Sequence, residues 1–388
     1  MTQTDQILRD LAAIADLPFE KATIPPPGLY VSDDILALEQ EHIFAREWHC
    51  IGREADIPEP GDYITDMLCS QPVFTIRDKQ GVIRSFANVC RHRMMQLLEG
   101  SGNTKRVACP YHNWAYDYDG KLTYAPHREY YADFDKADYC LYGVRMEVWQ
   151  GFIYVTLNPD VTSVAKRVAP LNDIIDRFRV ADYVPIITED HVWDTNWKLL
   201  TENYMESYHL PNVHKGTVGG YFPVEDCVFP EQSPGAYTYS TFTKGEGTPY
   251  GRAHPDNTVL EGDWRHTNVL PTIFPSHMFT LAPDYMWYLS LRPKGLGQVH
   301  IRYGATLAPE VIAAMKDPES EIKQAVEFLD TVNFEDRNVV EGAYRGARAP
   351  LTRPGPIHQL ERPIHHFVSY LAQRLTAGGR GLTRAAAE

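Results

Sequence analysis

The sequence predicts an α+β protein in two parts, an all-β N-terminal domain followed by a larger domain that combines an antiparallel sheet with helices. Three observations lead there. Short β-like runs with Gly and Asp/Asn punctuation fill residues 45 to 158. Longer strand-like stretches near 236 to 243, 285 to 292 and 298 to 307 follow, and a helical pattern runs from 319 to 346. A chain of 388 residues is long enough to bury two cores.

Residues 1–44 form an N-terminal segment, mainly helical after the elbow Pro25-Pro26-Pro27-Gly28. It is expected to pack on the later domain. Ser32 is placed to cap a helix that carries Ile35, Leu36, Leu38, Ile43 and Phe44, because a side-chain oxygen there satisfies a first-turn N–H. The β-like runs of 45–158 include Val73-Phe74-Thr75-Ile76, Val82-Ile83-Arg84-Ser85-Phe86 and Gly151-Phe152-Ile153-Tyr154-Val155, and Asp119-Gly120 reads as a hairpin turn. Asn158-Pro159 marks the exit, so the last domain spans 159–388. The terminal run Arg384-Ala385-Ala386-Ala387-Glu388 shows no packing pattern and is expected to fray.

Composition excludes several classes. A net charge of −14 argues against a nucleic-acid partner, which would require a basic face. No run of about 18 apolar residues occurs, and the first residues lack the basic and apolar regions of a secretory signal, so a soluble, cytoplasmic protein with no membrane partner is expected. Six cysteines in a chain of this length make no disulfide framework; Cys50, Cys69, Cys140 and Cys227 read as reduced, packed residues.

The other two belong to a motif. Cys90-Arg91-His92 and Cys109-Pro110-Tyr111-His112 place two mixed Cys/His pairs within 23 residues, with sixteen residues between His92 and Cys109. That gap suits a β-hairpin excursion bringing two loop tips together. A Rieske [2Fe-2S] cluster needs two thiolates on one iron and two imidazoles on the other, and mixed pairs meet that asymmetric demand. Structural zinc usually takes two close cysteines followed by two histidines; zinc and four unrelated core residues are the alternatives.

With these pairs, and with Trp114 two positions after His112, the chain resembles the Rieske non-haem iron oxygenases of the large, or alpha, subunit type. Respiratory Rieske proteins carry an extra disulfide at places that here hold Met95 and Tyr111. Two departures from the oxygenase pattern stand out. Met94 occupies a position where Gly commonly follows Cys-x-His-Arg, and Asn113 one where Gly often precedes the Trp. Neither removes a ligand; both are placed to tune loop shape or potential.

A catalyst also needs a place to deliver electrons. Glu206, His209 and His214 lie in one run, Glu206-Ser207-Tyr208-His209-Leu210-Pro211-Asn212-Val213-His214. Glu206 and His209 are spaced to share a helix face. On an unbroken helix, His214 would turn roughly 140° away from His209. Pro211 is expected to break the ladder and swing His214 back. Two histidines and a carboxylate form the facial triad of non-haem Fe(II) oxygenases. For the carboxylate, the apolar stripe Ile322, Ala325, Val326, Leu329, Val332, Val339, Val340 and Ala343 includes Asp336, whereas Glu335 is turned about 100° off it and reads as solvated. A core-facing carboxylate costs on the order of several kcal/mol unless a cation compensates it. Iron is one such cation; an ion pair with Arg337 or Arg345 is the alternative.

The resemblance implies more than the residues do. It implies a Rieske domain at 45–158 and a helix-grip-like catalytic domain at 159–388 that holds mononuclear Fe(II). It implies a terminal oxygenase that takes O₂ and receives electrons from NAD(P)H through a separate flavin and iron-sulfur reductase. No G-x-G-x-x-G run opens a strand-helix unit here, so that partner is expected on another chain. Glu206 resembles the acid that bridges the mononuclear iron of one subunit to a Rieske His of its neighbour. Such a bridge implies a head-to-tail ring, most simply a homotrimer. Most relatives use Asp there; Glu206, with the run Ile43-Phe44-Ala45-Arg46-Glu47-Trp48, resembles the choline, glycine betaine and carnitine monooxygenase branch. The implied substrate is a small polar molecule such as a betaine, hydroxylated beside nitrogen and so N-demethylated. Ring hydroxylation or dihydroxylation of an aromatic acid is the alternative, and a non-catalytic Rieske electron carrier is a third class. Tyr221, Phe222, Tyr237, Tyr239, Tyr285, Trp287 and Tyr288 suit either a cation site or an ordinary core. His365 and His366 read as surface residues.

Overall fold

The computed structural model describes residues 2–376, except 223, 233, 234, 246, 247 and 249. The fraying expected of 384–388 lies outside the described residues. The chain forms two compact units, one of residues 44–166 and one of 1–43 with 167–388.

The first unit is all-β. Its strands are β1 (His49–Arg53), β2 (Asp62–Leu68), β3 (Gln71–Arg77), β4 (Ile83–Ala87), β5 (Ser101–Asn103), β6 (Val107–Ala108), β7 (Ala115–Tyr116), β8 (Leu122–Tyr124), β9 (Gly143–Trp149) and β10 (Phe152–Thr156). They pair antiparallel as β1-β10-β9-β4-β3-β2-β5 and as a small sheet β6-β7-β8. Turn chemistry explains the hairpins. Gln150 and Gly151 both take positive φ between β9 and β10, the twist that suits a two-residue hairpin, and Gly120 does so between β7 and β8. The segment between the two Cys/His pairs is not one hairpin: β5 joins the large sheet through β2, while β6 pairs with β7 in the small one.

In the second unit, β11 (Val184–Trp193), β12 (Tyr237–Thr243), β13 (Thr267–Ile273), β14 (His277–Leu281), β15 (Tyr285–Gly295) and β16 (Gln298–Leu307) make one antiparallel sheet. Strands β12 to β16 meander in sequence and β11 closes on β16. β11 is polar and carries Pro185 beside a register shift, features that an edge tolerates. In β13, Pro271 falls where pairing to β14 is interrupted between Val269 and Thr272.

The long helix Pro318–Ala347 starts where Asp317 accepts from Ser320 N, with Pro318 in the first turn. Its buried positions are Val332, Val340 and Tyr344, while Val339 is 39% exposed and Ala343 also faces outward. The apolar stripe therefore runs through Val332, Asp336, Val340 and Tyr344, at four-residue steps. At its far end the chain adds a helix not read from the sequence, Arg362–Thr376, which buries Ile364, Phe367, Val368, Leu371 and Leu375 and packs against Gln3–Ala15. His366 lies on that buried face, 2.9 Å from Thr238 Oγ1, and burial pulls it down to about 4; His365 packs on Phe19. Neither histidine is a surface residue, because both belong to an amphipathic helix whose period was masked by its polar composition.

Near the N-terminus, Ser32 caps Asp33–Glu39 as expected, and a π-helical turn, Gln40–Phe44, follows. Glu39 is fully buried, accepts from Trp197 Nε1 at 2.8 Å and pairs with the equally buried ammonium of Lys198. This pair ties the N-terminal segment to the helix Trp197–Met205. Removing one partner of a buried pair strands the other charge. Lys198→Met is expected to lower the unfolding free energy by about 3–5 kcal/mol, measured by denaturant titration against wild type.

Candidate metal centres

Two loops of the first unit are built alike. Cys90 N donates to Met95 O at 2.7 Å and Met94 N to Cys90 O at 3.1 Å; Cys109 N donates to Trp114 O at 2.7 Å and Asn113 N to Cys109 O at 2.9 Å. Each six-residue turn needs a left-handed residue four positions after its cysteine, and these are Met94 (φ 58°) and Asn113 (φ 57°). The two departures noted in the sequence thus fall where the backbone favours glycine.

The turns bring all four sequence-predicted ligands to one place. The rings of His92 and His112 lie edge to face with centroids 4.6 Å apart, and Trp114 stacks on His92 at 4.9 Å. Both cysteines are buried. Burial pushes the Cys109 thiol up, while the N–H groups of His112 and Tyr111 point at its sulfur and the Cys90 thiol lies beside it. Tyr116 Oη is 3.4 Å from Cys90 Sγ and accepts from Arg91 N at 3.0 Å. Nδ1 of His92 and Nδ1 of His112 are buried with no hydrogen-bond partner, and burial holds His92 below its ordinary value, in the neutral form a metal requires. Two orphaned imidazole nitrogens beside two thiols fit a cluster with unlike irons.

The second constellation lies in the other unit. The helix Trp197–Met205 stops at Glu206, whose extended backbone (φ −105°, ψ 162°) is not helical, and His209 precedes the single turn Leu210–Val213, which His214 closes. Glu206 and His209 therefore share no helix face. The break falls at 206–208 rather than at Pro211, which instead opens the short second helix, as its fixed φ favours. Gly219 then returns against this turn. Its N–H bonds His214 O at 2.9 Å, and a Cβ there would lie 2.3 Å from Leu210 O.

His209, His214 and Asp336 each offer a ligand atom, all within 4.8 Å of one another. Asp336 Oδ1 is 3.1 Å from His214 Nε2 and 3.6 Å from His209 Nε2. The opposite nitrogens are held by carboxylates, His209 Nδ1 by Glu206 Oε1 at 2.5 Å and His214 Nδ1 by Glu335 Oε2 at 2.8 Å. A carboxylate only accepts, so both Nδ1 atoms donate, and His214 Nε2 donates to Asp336 Oδ1 as well; a metal would take the place of that Nε2 proton. Burial pulls His214 down, but Asp336 and Glu335 outweigh it and hold the imidazolium form above its ordinary value. That stabilisation of positive charge is what a divalent cation would use.

Glu335 corrects the sequence reading. It is not solvated: its side chain is 23% exposed, and Thr217 Oγ1 also donates to it at 2.6 Å. A rotation of 100° from the stripe leaves a glutamate arm long enough to reach His214 from the side. Periodicity counts where Cβ points and misses that reach. Of the two arginines offered as alternative partners for Asp336, Arg337 pairs with Glu341 at 2.7 Å, and among the described residues Asp336 meets His209 and His214 and not Arg345. Asn203, also unread in the sequence, lies 3.4 Å from the His209 ring.

These groups open on a cavity of about 240 Å³ lined by β11, β13 to β16, the long helix and the helix Trp197–Met205. Of the aromatic residues noted in the sequence, Phe222, Tyr285 and Trp287 line it, whereas Tyr237 and Tyr288 are buried core. Strand alternation sorts them: Tyr285 and Trp287 face one side of β15, Met286 and Tyr288 the other.

Residues 180–377 match the family described as ring hydroxylating alpha subunit (catalytic domain), and residues 47–135 match the Rieske [2Fe-2S] domain. The carnitine monooxygenase oxygenase subunit of Acinetobacter baumannii is 32% identical over 220 residues, 53% of this chain and 58% of that protein, so the chain matches little more than half of that relative's length. The chloroplastic choline monooxygenase of Arabidopsis thaliana is 26% identical over 385 residues, 92% of this chain and 84% of that protein. The crystal structure of the quaternary ammonium Rieske monooxygenase CntA with an inhibitor superposes with a TM-score of 0.80 at 24% identity, covering 94% of this chain and 98% of that one. At that identity the likeness is one of fold.

Met94 is 83% exposed and makes its left-handed turn without glycine. Met94→Gly is expected to raise the thermal stability of the cluster-bearing unit by about 0.5–1 kcal/mol while Met94→Ala does not, read by the temperature at which the cluster's visible absorption is lost.

Proposed function

We propose, from the premise that this chain belongs to the ring hydroxylating alpha subunit family and carries its Rieske [2Fe-2S] domain, that it is the terminal oxygenase of a multicomponent system. The observation that carries this reading is the pairing of two unlike donor sets, thiol and imidazole in one unit and two imidazoles with a carboxylate in the other. Cys90, His92, Cys109 and His112 would hold the [2Fe-2S] cluster; His209, His214 and Asp336 would hold the mononuclear iron. When bound, the cluster supplies single electrons and the iron supplies the site at which O₂ is reduced.

The protein's own residues set the conditions. Glu206 and Glu335 hold the two imidazoles by Nδ1, fixing their tautomer and pointing both Nε2 atoms at one spot. Phe222, Tyr285, Trp287 and Leu329 exclude water around the substrate. Glu206 also serves as the inter-subunit bridge of a homotrimer, its second carboxylate oxygen tied to the N–H groups of Tyr208 and His209. One oxygen atom of O₂ enters a C–H bond beside the substrate nitrogen and the other leaves as water. Two electrons come from NAD(P)H through a separate flavin and iron-sulfur reductase, and two protons from solvent. A hydroxylated N-methyl group then departs as formaldehyde. The substrate class is a betaine or other quaternary ammonium compound.

Substrate-dependent oxygen uptake with a surrogate reductase, across betaines and aromatic acids, tests this. Uptake with formaldehyde release on the first group is expected; uptake on aromatic acids alone would replace the substrate class. Iron analysis tests the class of protein, because an oxygenase of this kind holds about three irons per chain and an electron carrier about two. Asp336→Ala should keep the cluster spectrum, drop iron to about two per chain and abolish oxygen insertion. Glu335→Gln, which keeps the shape but weakens the hold on His214, should lower mononuclear iron affinity by about 10–100-fold in a chelator competition.

A further inference from the structure

Asp284 sits in the short connection between β14 and β15 and lines the same cavity, yet it takes no part in holding the histidines. One carboxylate oxygen, Oδ2, accepts from Gly251 N at 2.7 Å, and the backbone N–H groups of Arg252 and of Asp284 itself also favour the charged carboxylate; the other oxygen, Oδ1, is buried with no partner at hydrogen-bond geometry. The hydroxyl of Tyr250, also on the lining, is likewise buried without one. An unpartnered buried carboxylate oxygen is costly, and a group retained at such a cost points to a partner supplied from outside the chain.

The surrounding charge identifies that partner. Glu206 and Asp336 also line the cavity, but they face the two histidines. With metal bound there, Asp284 is the remaining anion of the lining. Among the described residues no Lys or Arg lines the cavity. Lys244 is the nearest offsetting cation; its ammonium donates to the Tyr250 carbonyl at 3.2 Å and lies over the Tyr250 and Phe222 rings at 4.2 and 4.6 Å, outside the lining. It moderates the charge of Asp284 without occupying Oδ1. Burial raises Asp284 to about 6, so the carboxylate is largely ionised at neutral pH. Tyr250, Tyr285 and Phe328 gather beside it, with Tyr250 5.8 Å from Phe328 and 6.5 Å from Tyr285 between ring centroids. Aromatic faces and one carboxylate attract an organic cation. A substrate carboxylate would meet Asp284 with no basic side chain on the lining to receive it.

We propose that Asp284 is the specificity-determining residue of this cavity and selects a monocationic organic ammonium compound that carries no carboxylate. The proposal rests on the oxygenase reading for the location of the site, and within the quaternary ammonium compounds it favours those without a carboxylate, such as amino alcohols, over the betaines.

Calorimetric binding to the iron-loaded full chain under anaerobic conditions tests it with three probes: choline, its uncharged carbon analogue 3,3-dimethylbutan-1-ol, and glycine betaine. Choline should bind about tenfold or more tighter than either of the others. Asp284→Asn should remove that preference by weakening choline and leaving the uncharged analogue unchanged, and Asp284→Glu should restore part of it. Absence of choline binding, equal or tighter binding of glycine betaine or of the uncharged analogue, or an unaltered preference in Asp284→Asn would overturn the proposal. Binding needs no turnover, and the iron content and cluster spectrum of the same samples are read separately. Failure of the oxygenase reading therefore appears in the metals, and failure of this inference appears in the probe ranking.

Discussion

Three carboxylates, Glu206, Glu335 and Asp336, converge on two imidazoles in a partly buried pocket, and negative charge gathered that closely persists only where positive charge answers it. Much of the second unit serves this convergence. The helix Trp197–Met205 ends where Glu206 must turn inward, the single turn Leu210–Val213 carries His214 back toward His209, and the long helix brings Glu335 and Asp336 from more than a hundred residues downstream. A divalent cation would resolve the charge. Until one binds, His214 answers part of it, as its raised imidazolium shows.

The cluster-bearing unit answers a different demand by repetition. Two turns with the same hydrogen bonds and the same left-handed residue present Cys and His from each arm. Around them Tyr116, Trp114 and the small sheet β6-β7-β8 shield the sulfurs from water while the imidazoles are left without hydrogen-bond partners at Nδ1. One unit thus offers soft donors in a preformed cage, and the other offers harder donors beside an open cavity. That division matches what electron storage and oxygen chemistry each require.

Much of this was legible in advance. The mixed Cys/His pairs, the two histidines and Asp336, which the structure brings together, could be picked out as candidate ligands because metal-binding residue types are few and their spacings restricted, and because a carboxylate on an apolar stripe calls for a counter-charge. What escaped the sequence did so for physical reasons. Glu335 lies off the stripe by angle and reaches back by arm length. The helix break at Glu206 has no Gly or Pro to announce it. β11 hid behind edge-strand polarity, and the last helix behind a composition whose apolar face is interleaved with His and Arg. Asp284 could not be singled out at all, since nothing local separates a loop aspartate in solvent from one whose second oxygen is buried beside aromatic rings.

The sequence by itself determined the candidate ligand types, the division into an all-β and a mixed unit, and the family resemblance, because each is written in residue identity and short-range spacing. Only the tertiary structure decided which carboxylate holds which imidazole nitrogen, which aromatics face the cavity, and that Asp284 lines it with one carboxylate oxygen unpaired. Those choices depend on side-chain reach and burial between segments far apart in the chain, quantities that no local pattern encodes.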